Sequence, residues 1–529
     1  MGGLHIYTAV WCYTILFFLY FCHIAAAANI LALFSSLSYS DHLVFRGYVS
    51  LLTQRGHSVV VMTSYPGQFQ HPDVENIVEL DVSEESAKFW DEYKNLITNV
   101  DDYYPLMKSL NELSLKVAIA QLKSKQMTAL LINSNVKFDL VVTDANVPLL
   151  YAAADKYNAS HIAITPSSGK IHQYEAKGSP THPLFYPDEN TLSYGNIGFW
   201  QKITELKRYY HTKQEYSSNY LRLSQLAAEK LLGLKRDLRS VEFEIDVLFV
   251  ACNPLLVGKR PNALNVAYVD GMHIKTDVTL LTDLKTVLDS ATKGVVYFSL
   301  GTIQESEQLS PILLQTLADA FGELPYTVLW KIGNTSMIKL SENVIAYPWF
   351  PQQEVLAHPN IKAFITHGGL RSLEEAVFYE VPIVGLPLVK SRKTFMGEIT
   401  KHGAGEILDP YYLEKNMVKT TILAVAGEEK YQTAISLLKS KAEDTAISGP
   451  DHAVWWTEYV LRNGGARHLR SPSVGISSIS YYMLDILSLL IFAAMTTVYT
   501  SYTILRFLIR WCRMRFFGQT GLSGKFKAL

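Results

Sequence analysis

The sequence has few cysteines, with four among 529 residues. Cys12 and Cys22 lie in an apolar N-terminal stretch, and Cys512 lies in a basic C-terminal stretch. Only Cys252 remains between these two stretches, so a fold framed by intrachain disulfides is excluded even in an oxidising compartment.

The sequence also lacks an excess of charge of one sign, because 48 Lys and Arg residues stand against 49 Asp and Glu residues, for a net charge of −1. Proteins that bind nucleic acid are typically basic, so nucleic acid is not expected as a partner. No group of His, Cys, Asp and Glu has the spacing of metal ligands, and neither a metal nor another cofactor is expected. A chain of this length exceeds a single core, so two domains with additional segments are predicted.

Apolar stretches mark both ends of the chain. Residues 7–24 form an apolar run followed by four alanines, which predicts a secretory signal peptide over residues 1–28, although no Lys or Arg precedes the run. Residues 486–505 carry no charge, and a stretch of about 20 such residues spans a bilayer, which predicts a transmembrane helix over residues 481–505. Residues 506–529 contain Arg and Lys but no acidic residue, so the positive-inside bias places this tail in the cytosol and the body in the lumen.

The chain between these ends alternates short apolar runs with helical patterns. Residues 29–34 and 58–63 are predicted strands around a helix from about Asp41 to Arg55, and residues 138–144 are a predicted strand that ends on Asp144. Because ligands bind outside the carboxyl ends of parallel strands, we expect Asp144 to face a cleft.

This alternation divides the chain into α/β domains. The first domain is assigned to residues 29–252, the Pro-, Gly- and Asn-rich residues 253–274 to a linker, and residues 275–445 to a second domain. Residues 172–239 are interpreted as an elaboration that forms the acceptor side of the cleft.

Residues 347–392 carry the pattern of a nucleotide site. An apolar strand runs into His367, Gly368 and Gly369 and then into a helix, which aims backbone N–H groups and the positive end of the helix dipole at a phosphate. Trp349 offers a flat face for a base, and Glu375 can accept the hydroxyls of a ribose. Base, ribose and phosphate together make a nucleotide.

These residues resemble the signature of the UDP-glycosyltransferase family, which includes UDP-glucuronosyltransferases and insect UDP-glucosyltransferases, and the resemblance covers nearly the whole chain. It implies two facing Rossmann-like α/β domains, the GT-B fold, with residues 446–480 crossing back onto the first domain as a terminal helix and stalk. It implies inverting transfer of a hexose, glucose or glucuronate, from a UDP-sugar co-substrate to a hydroxyl of a small lipophilic acceptor, without a metal. The residues that the resemblance assigns to UDP are Ser299, Gly301, Thr302, Trp349, Phe350, Gln352, His367, Gly368, Gly369, Arg371, Ser372 and Glu375.

The catalytic base is the first departure from the family. The family places a His on the loop that opens the first helix, backed by an Asp at the end of a later strand, and these positions are Asp41 and Asp144 here, with His42 one residue on. One hypothesis is that the loop shifts so that His42 is the base. A second is that Asp41 is the base, which suits an acidic phenol better than an aliphatic hydroxyl. A third is that the chain binds UDP-sugar or acceptor as a partner subunit without transfer. A purely structural role for Asp41 is to cap the helix.

The sugar pocket is the second departure. Ser391 and Arg392 stand where the family has an Asp-Gln pair that binds the hexose hydroxyls, and Arg371 replaces an Asn of the vertebrate members. Because a guanidinium cannot accept a hydrogen bond, Arg392 favours an acidic or phosphorylated group, although a solvated Arg is an equally good interpretation.

The resemblance also suggests the cellular setting. It implies a single-pass type I protein of the endoplasmic reticulum membrane with lumenal catalytic domains and a role in detoxification. Asn158 and Asn334 are acceptable glycosylation sites if exposed. The acceptor, the sugar and the oligomeric state, homo- or hetero-oligomer, stay open.

Overall fold

The computed structural model describes residues 27–69, 76–99, 103–186, 197–280, 282–302, 309–336 and 338–517. All but the last two positions of the predicted signal peptide, and residues 518–529 of the predicted tail, lie outside the described residues. The chain divides into two compact units, one that ends at Ser471 and one that begins at Pro472.

The first unit contains two parallel sheets. The first sheet has the strand order β3-β2-β1-β4-β5-β6-β7. Its strands are β1 (Asn29–Leu33), β2 (Ser58–Thr63), β3 (Ile77–Asp81), β4 (Leu140–Asp144), β5 (Ser160–Thr165), β6 (Val247–Val250) and β7 (Val266–Tyr268). The second sheet has the order β10-β9-β8-β11-β12-β13. Its strands are β8 (Val295–Ser299), β9 (Thr327–Lys331), β10 (Val344–Tyr347), β11 (Ile361–Thr366), β12 (Ile383–Gly385) and β13 (Gly405–Ile407).

Helices flank both sheets. Those of the first half of the chain are α1 (Tyr39–Gln54), α2 (Ser83–Ala87), α3 (Trp90–Asn99), α4 (Tyr103–Leu122), α5 (Lys125–Ile132), α6 (Ala152–Tyr157), α7 (Ile171–Glu175), α8 (Phe199–Glu215), α9 (Leu221–Leu232), α10 (Leu238–Glu244) and α11 (Pro254–Val257). Those that follow are α12 (Thr282–Ser290), α13 (Pro311–Gly322), α14 (Gln352–Leu356), α15 (Leu370–Phe378), α16 (Lys390–Lys401), α17 (Lys415–Gly427), α18 (Glu429–Glu443), α19 (Gly449–Asn463), α20 (Ser478–Tyr481) and α21 (Leu484–Phe517). Short 3₁₀ turns at Pro148–Tyr151 and Arg467–Leu469 and a π-helical turn at Tyr216–Tyr220 complete the described elements.

The first β-α-β unit shows why these residues fold as they do. Four of the five residues of β1 are buried, as its continuous apolar run predicts for a strand covered on both faces. Helix α1 places Phe45, Tyr48 and Val49 on one face against the sheet, and Phe45 stacks on Phe34 with ring centroids 4.0 Å apart. Gly56 has a φ of 86°, a conformation that glycine adopts without strain, where the chain turns from α1 to β2.

The two sheets share the topology of dinucleotide-binding folds, in which the strand order reverses beside the first strand of each half. In the first sheet this reversal lies between β1 and β4, whose partners include Leu33 and Thr143. In the second sheet it lies between β8 and β11, where Ser299 pairs with Thr366. The predicted pair of Rossmann-like domains is confirmed.

The boundary between the domains differs from the predicted linker. Residues 266–268, inside the stretch 253–274, form β7, which pairs with β6 as the last strand of the first sheet. Helix α19 crosses back onto the first domain, where the Thr457 hydroxyl lies 2.7 Å from that of Tyr48. Just after this helix, the backbone N–H of Ala466 donates to Asp246 of the first domain at 2.6 Å.

The second unit contains α20 and α21. Its residues Leu484–Phe516 form a helix that is long and apolar enough to cross a membrane. The helix begins three residues later than the predicted span 481–505 and continues through the arginines that follow it.

Candidate active site

A cavity of about 510 Å³ lies between the two sheets, at the carboxyl ends of the central strands of both. Ser35 and Asp144 line it from the first domain, and Ser299 and His367 line it from the second. The position is the one that doubly wound sheets use for ligands. The cleft expected from the strand pattern is therefore present, and both domains contribute to it.

The turn after β11 is built for close approach. Gly368 has a φ of 86°, and Gly369 precedes the first turn of α15. Gly301, with a φ of 92°, packs against the His367 ring so closely that a Cβ atom on it would lie 2.6 Å from His367 Cε1. Glycines at these positions leave the backbone N–H groups at the start of α15 accessible to an anion.

His367 is uncharged in this setting. Burial, followed by the positive charges of Arg392 and Lys331, lowers the pKa of His367 to about 3. Its Nδ1 atom has no hydrogen-bond partner among the described residues. A neutral imidazole with an unpaired nitrogen beside two cationic side chains suits a phosphate oxygen or a sugar hydroxyl.

Trp349 presents an indole ring to the cleft and is 54% exposed. The Lys331 ammonium lies 4.9 Å from the centre of this ring and also donates to the carbonyl of Gly301. The ring of Tyr39, from the other domain, meets Trp349 edge-on at 5.9 Å. The Lys331 ammonium therefore contacts both the indole ring and the turn at Gly301, so a base on Trp349 and a phosphate at this turn would be neighbours.

Glu375 and Ser372 are held by the amides of α14. The Glu375 carboxylate accepts from Gln352 Nε2 at 2.6 Å and from Gln353 Nε2 at 2.9 Å. Gln352 also donates to Ser372 Oγ at 3.1 Å. Burial raises the pKa of Glu375 to about 7, against these amide hydrogen bonds, which lower it. A ribose would bind Glu375 beside or in place of Gln352, and Phe350 packs behind the site with 2% exposure.

Arg371 lines the cleft, but its guanidinium is engaged elsewhere. Its Nη2 donates to the carbonyl oxygens of Ala251 at 2.6 Å and Pro166 at 3.1 Å, both in the first domain, and Nη1 lies 2.5 Å from Glu374. The structure therefore places Arg371 as a link between the domains and not among the groups around His367. The prediction that Arg371 contacts UDP has no support in this geometry.

Two carboxylates of the first domain line the same cleft as the turn after β11. Asp41 and Asp144 both line the cleft, and the negative charge of Asp41 is one of the causes that raise the pKa of Asp144. Burial is the main cause and takes the pKa of Asp144 to about 7, although the N–H of Asn146, at 2.9 Å, lowers it. Burial also raises the pKa of Asp41, against the Ser36 hydrogen bond at 2.7 Å and the charges of Arg371 and Arg392.

His42 does not reach the cleft. Helix α1 begins at Tyr39, so Asp41 and His42 are both helical and point about 100° apart. The His42 ring is 2% exposed, with Nε2 2.8 Å from the Ser36 carbonyl and Nδ1 3.4 Å from the Thr63 hydroxyl. Burial lowers its pKa to about 4. A one-residue shift that would bring His42 into the cleft is absent, and Ser38, not Asp41, precedes the helix.

Arg392 lines the cleft near the start of α16, beside Val389 and Phe395. Its charge acts on His367 in one domain and on Asp41 in the other. The side chain of Ser391 lies outside the described part of the chain. Thr302 lines the cleft beside Gly301, immediately before residues that are not described.

The described part of the segment predicted to form the acceptor side, residues 172–239, does not line the cavity. Apolar side chains of α3 and α4 line it instead, namely Ile97, Leu110, Leu113 and Val117, with Leu37 beside them. The amphipathic pattern of these helices indicated a buried face but not which cavity it would border.

Two functional candidates, Lys331 and Glu374, were not identified from the sequence. Lys331 ends β9, the neighbour of β8, whose end leads into Gly301, and its place beside other strand ends was a usable signal. Glu374 follows Arg371 by one helical turn and accepts from the N–H of Asn253 at 3.0 Å. Burial raises the pKa of Glu374 to about 7. Both predicted glycosylation sites, Asn158 and Asn334, are exposed, and both stay predictions.

The described residues contain no group of three or more His, Cys, Asp and Glu side chains that could hold a metal ion. The two parallel sheets and the cleft that they share at their strand ends have the architecture of the GT-B fold. Among solved structures, the calicheamicin glycosyltransferase CalG4 matches with a TM-score of 0.56 and 18% identity, over 83% of this chain and 99% of that chain.

The sequence places the chain in a family. Residues 28–516 match the model of the UDP-glucoronosyl and UDP-glucosyl transferases, and the chain belongs to this family. It is similar to an ecdysteroid UDP-glucosyltransferase of Spodoptera littoralis nuclear polyhedrosis virus, with 30% identity over 514 residues, 90% of this chain and 96% of the relative. It is also similar to a UDP-glycosyltransferase of Dactylopius coccus, with 28% identity over 516 residues, 94% of this chain and 96% of that relative.

Proposed function

We propose that this glycosyltransferase transfers a hexose from a UDP-sugar to a hydroxyl of a small lipophilic acceptor with inversion, and that Asp41 is the base. The observation that carries the proposal is the placement of Asp41 and Asp144 in the same cleft as the His367 turn, each on a different domain from that turn. An inverting displacement needs an acceptor activated on one side and a leaving group stabilised on the other.

The donor lies along the second domain. The uracil stacks on Trp349, the ribose binds Glu375, and the diphosphate binds the N–H groups at the start of α15, near Lys331 and His367. This arrangement is supported by the chain of contacts from Trp349 through Lys331 to the carbonyl of Gly301. Lys331 and the helix dipole stabilise the charge that develops on the departing diphosphate.

The acceptor lies against the apolar wall of α3 and α4. Ile97, Leu110, Leu113 and Val117 suit a lipophilic body, while the hydroxyl points toward Asp41. The acceptor oxygen forms a bond to the anomeric carbon, the bond from that carbon to the diphosphate oxygen breaks, and the acceptor proton passes to the Asp41 carboxylate. UDP leaves with the bonding electron pair, so atoms and charge balance.

Asp41 suits phenols better than aliphatic alcohols. Burial raises the pKa of Asp41, which makes it a stronger base than an aspartate in water, but it stays far weaker than an alkoxide. A phenol lies much nearer in acidity to a buried carboxyl. Asp144 limits the negative charge beside Asp41, since with a pKa of about 7 it is partly protonated near neutrality.

The sugar and the cellular setting are parts of the same proposal. Arg392 favours a donor whose sugar carries an acidic group, such as glucuronate, over a neutral one. The chain is anchored by α21 in the endoplasmic reticulum membrane, with the body in the lumen, because the arginines at the C-terminal end of α21 follow its uncharged part. An ecdysteroid is included in the test because the name of the viral relative specifies that substrate, and its aliphatic hydroxyls place it among the weaker acceptors for an Asp41 base.

The test is a turnover assay of the full chain in detergent. UDP release is measured with UDP-glucose and UDP-glucuronate against phenols of graded acidity, size-matched alcohols and an ecdysteroid. We expect phenols to exceed alcohols by far more than their binding differs. The alternative, a non-catalytic binding or partner subunit, predicts UDP binding in calorimetry without turnover for any pair, and turnover that appears in Asp41→His.

A further inference from the structure

Helix α8 (Phe199–Glu215) lies on the surface with its polar side toward the body. None of its 17 residues is buried. On the inner side, the Tyr209 hydroxyl donates to Glu175 at 2.8 Å and lies 2.7 Å from that of Thr181. An amphipathic helix of a globular domain normally turns its apolar side inward, so the orientation of α8 is inverted.

The outer side of α8 is an exposed apolar stripe. Phe199, Ile203, Leu206 and Tyr210 are 68%, 42%, 46% and 61% exposed, and Trp200 beside them is 76% exposed. Their spacing of four, three and four residues along the helix puts the first four on one narrow face. Side chains of this size scattered singly need no explanation, whereas an aligned set marks an interaction surface.

Exposed lysines border the stripe on both sides. At 100° per residue, Lys202 lies on one margin of the apolar face and Lys207 on the other. A long aliphatic stem lets a lysine beside an apolar surface reach polar headgroups. An apolar face flanked by lysines, with Trp200 next to Lys207 just outside that face, is the pattern of helices that lie in the interface of a bilayer.

The chain itself limits how far Ser471, at the end of the body, can be from a membrane that α21 enters. The compact unit that contains α8 ends at Ser471, and the candidate membrane span begins at Leu484. Residues 472–483 between them extend to about 40 Å at most. A second copy of the chain fits the stripe less well, because lysines on both margins would meet lysines in either orientation of two paired helices.

We propose that the outer face of α8 is a membrane contact that seats in the headgroup region of the bilayer entered by α21. The stripe thus gives the body a second attachment beside the anchor, and it rests on the proposed anchoring of α21. Anionic lipid strengthens the attachment through Lys202 and Lys207. The function of the cleft does not depend on it.

The test places a polarity-sensitive fluorophore on α8 of the full chain, in a Cys512→Ser background. Ile203→Cys puts the label on the stripe, and Thr204→Cys, also exposed, puts it about 100° further round the same helix. The labelled chains are reconstituted in phosphatidylcholine vesicles with phosphatidylserine, with and without lipids brominated near the headgroup. Retention after carbonate extraction, measured separately, reports whether α21 is inserted.

We expect the label at position 203 to shift to the blue and to be quenched at least about twofold by brominated lipid, while the label at 204 does neither. Labels that are equally solvent-exposed at both positions, in chains that resist carbonate, would overturn the proposal and leave the anchor intact. A blue shift at 203 that brominated lipid does not quench, and that grows with the protein-to-lipid ratio, would overturn it in favour of a second copy.

Discussion

Replacing Asp144 by Asn should stabilise the protein at alkaline pH even though the residue lies in the cleft. Asp144 is 1% exposed, and burial, with the charge of Asp41, raises its pKa from 3.8 to about 7. A folded-state pKa above the unfolded value means that ionisation costs the folded state more than the unfolded state. Asn keeps the size of the side chain and can still accept from the N–H of Asn146, but it carries no charge.

The magnitude follows from the two pKa values. Between pH 3.8 and pH 7 the folded protein holds a proton on Asp144 that the unfolded chain has lost. The contribution of Asp144 to the wild-type free energy of unfolding therefore falls by about 1.4 kcal/mol for each pH unit above 3.8. The fall ends near pH 7, which gives a total of about 4 kcal/mol. Asp144→Asn removes this loss, so its advantage over the wild type should be small at pH 4 and close to its full size at pH 8.

The assay is unfolding of the full chain in detergent at pH 4, 6 and 8, followed by urea or by heat. Any cost of burying the amide is the same at each pH and cancels in the comparison between them. Asp277→Asn, the same substitution at an exposed position, is the control. The advantage of Asp144→Asn should shrink in an Asp41→Asn background, because the Asp41 charge is one of its causes. An effect of Asp144→Asn that is equal at pH 4 and pH 8 would refute the assignment of a buried, costly carboxylate.

Trp349→Ala should weaken UDP binding by about 1–3 kcal/mol in calorimetry if stacking holds the base, while Trp455→Ala, which removes a similarly exposed indole from α19, should not. Unchanged UDP affinity in the first variant would remove this site assignment. Gly301→Ala should lower stability by about 1–3 kcal/mol and weaken UDP binding, because φ is 92° and the new Cβ would collide with His367; normal melting and affinity would contradict the described turn. A chain that ends at Ser471 should be removed from membranes by washing, and its persistence after alkaline carbonate would show that another segment spans the bilayer.

Most strands and helices could be predicted from the sequence, because apolar runs and helical patterns have different periods. Strands such as β4 and β11 are continuous apolar runs, and the glycines after β11 marked the turn that faces the cleft. The linker was harder to predict, because β7 has only three residues and its pairing with β6 depends on tertiary contacts. Family resemblance added the facing arrangement of the two domains, which length and periodicity do not provide.

The residues that the sequence could not place are those whose partners are distant in the chain. Arg371 reads as a cleft residue, but its partners are carbonyls of Pro166 and Ala251 in the other domain. The direction of His42 depends on where α1 begins, and the start at Tyr39 turns His42 away from the cleft. The helical pattern of α8 could be recognised in the sequence. Which side of α8 faces the body could not, because it depends on the surface against which the helix packs.

The role of Asp41 as the base is tested most directly by kcat/KM of Asp41→Asn with a phenol acceptor, at a pH where Asp41 is ionised in the wild type. This role predicts a loss of about 10²–10⁴-fold with unchanged UDP affinity, because only proton removal is affected. It also predicts that wild-type kcat/KM falls as the pH drops through the raised pKa of Asp41, and that His42→Asn costs less than about tenfold per folded molecule. Full activity in Asp41→Asn, or a larger loss in His42→Asn, would contradict the assignment of Asp41 as the base.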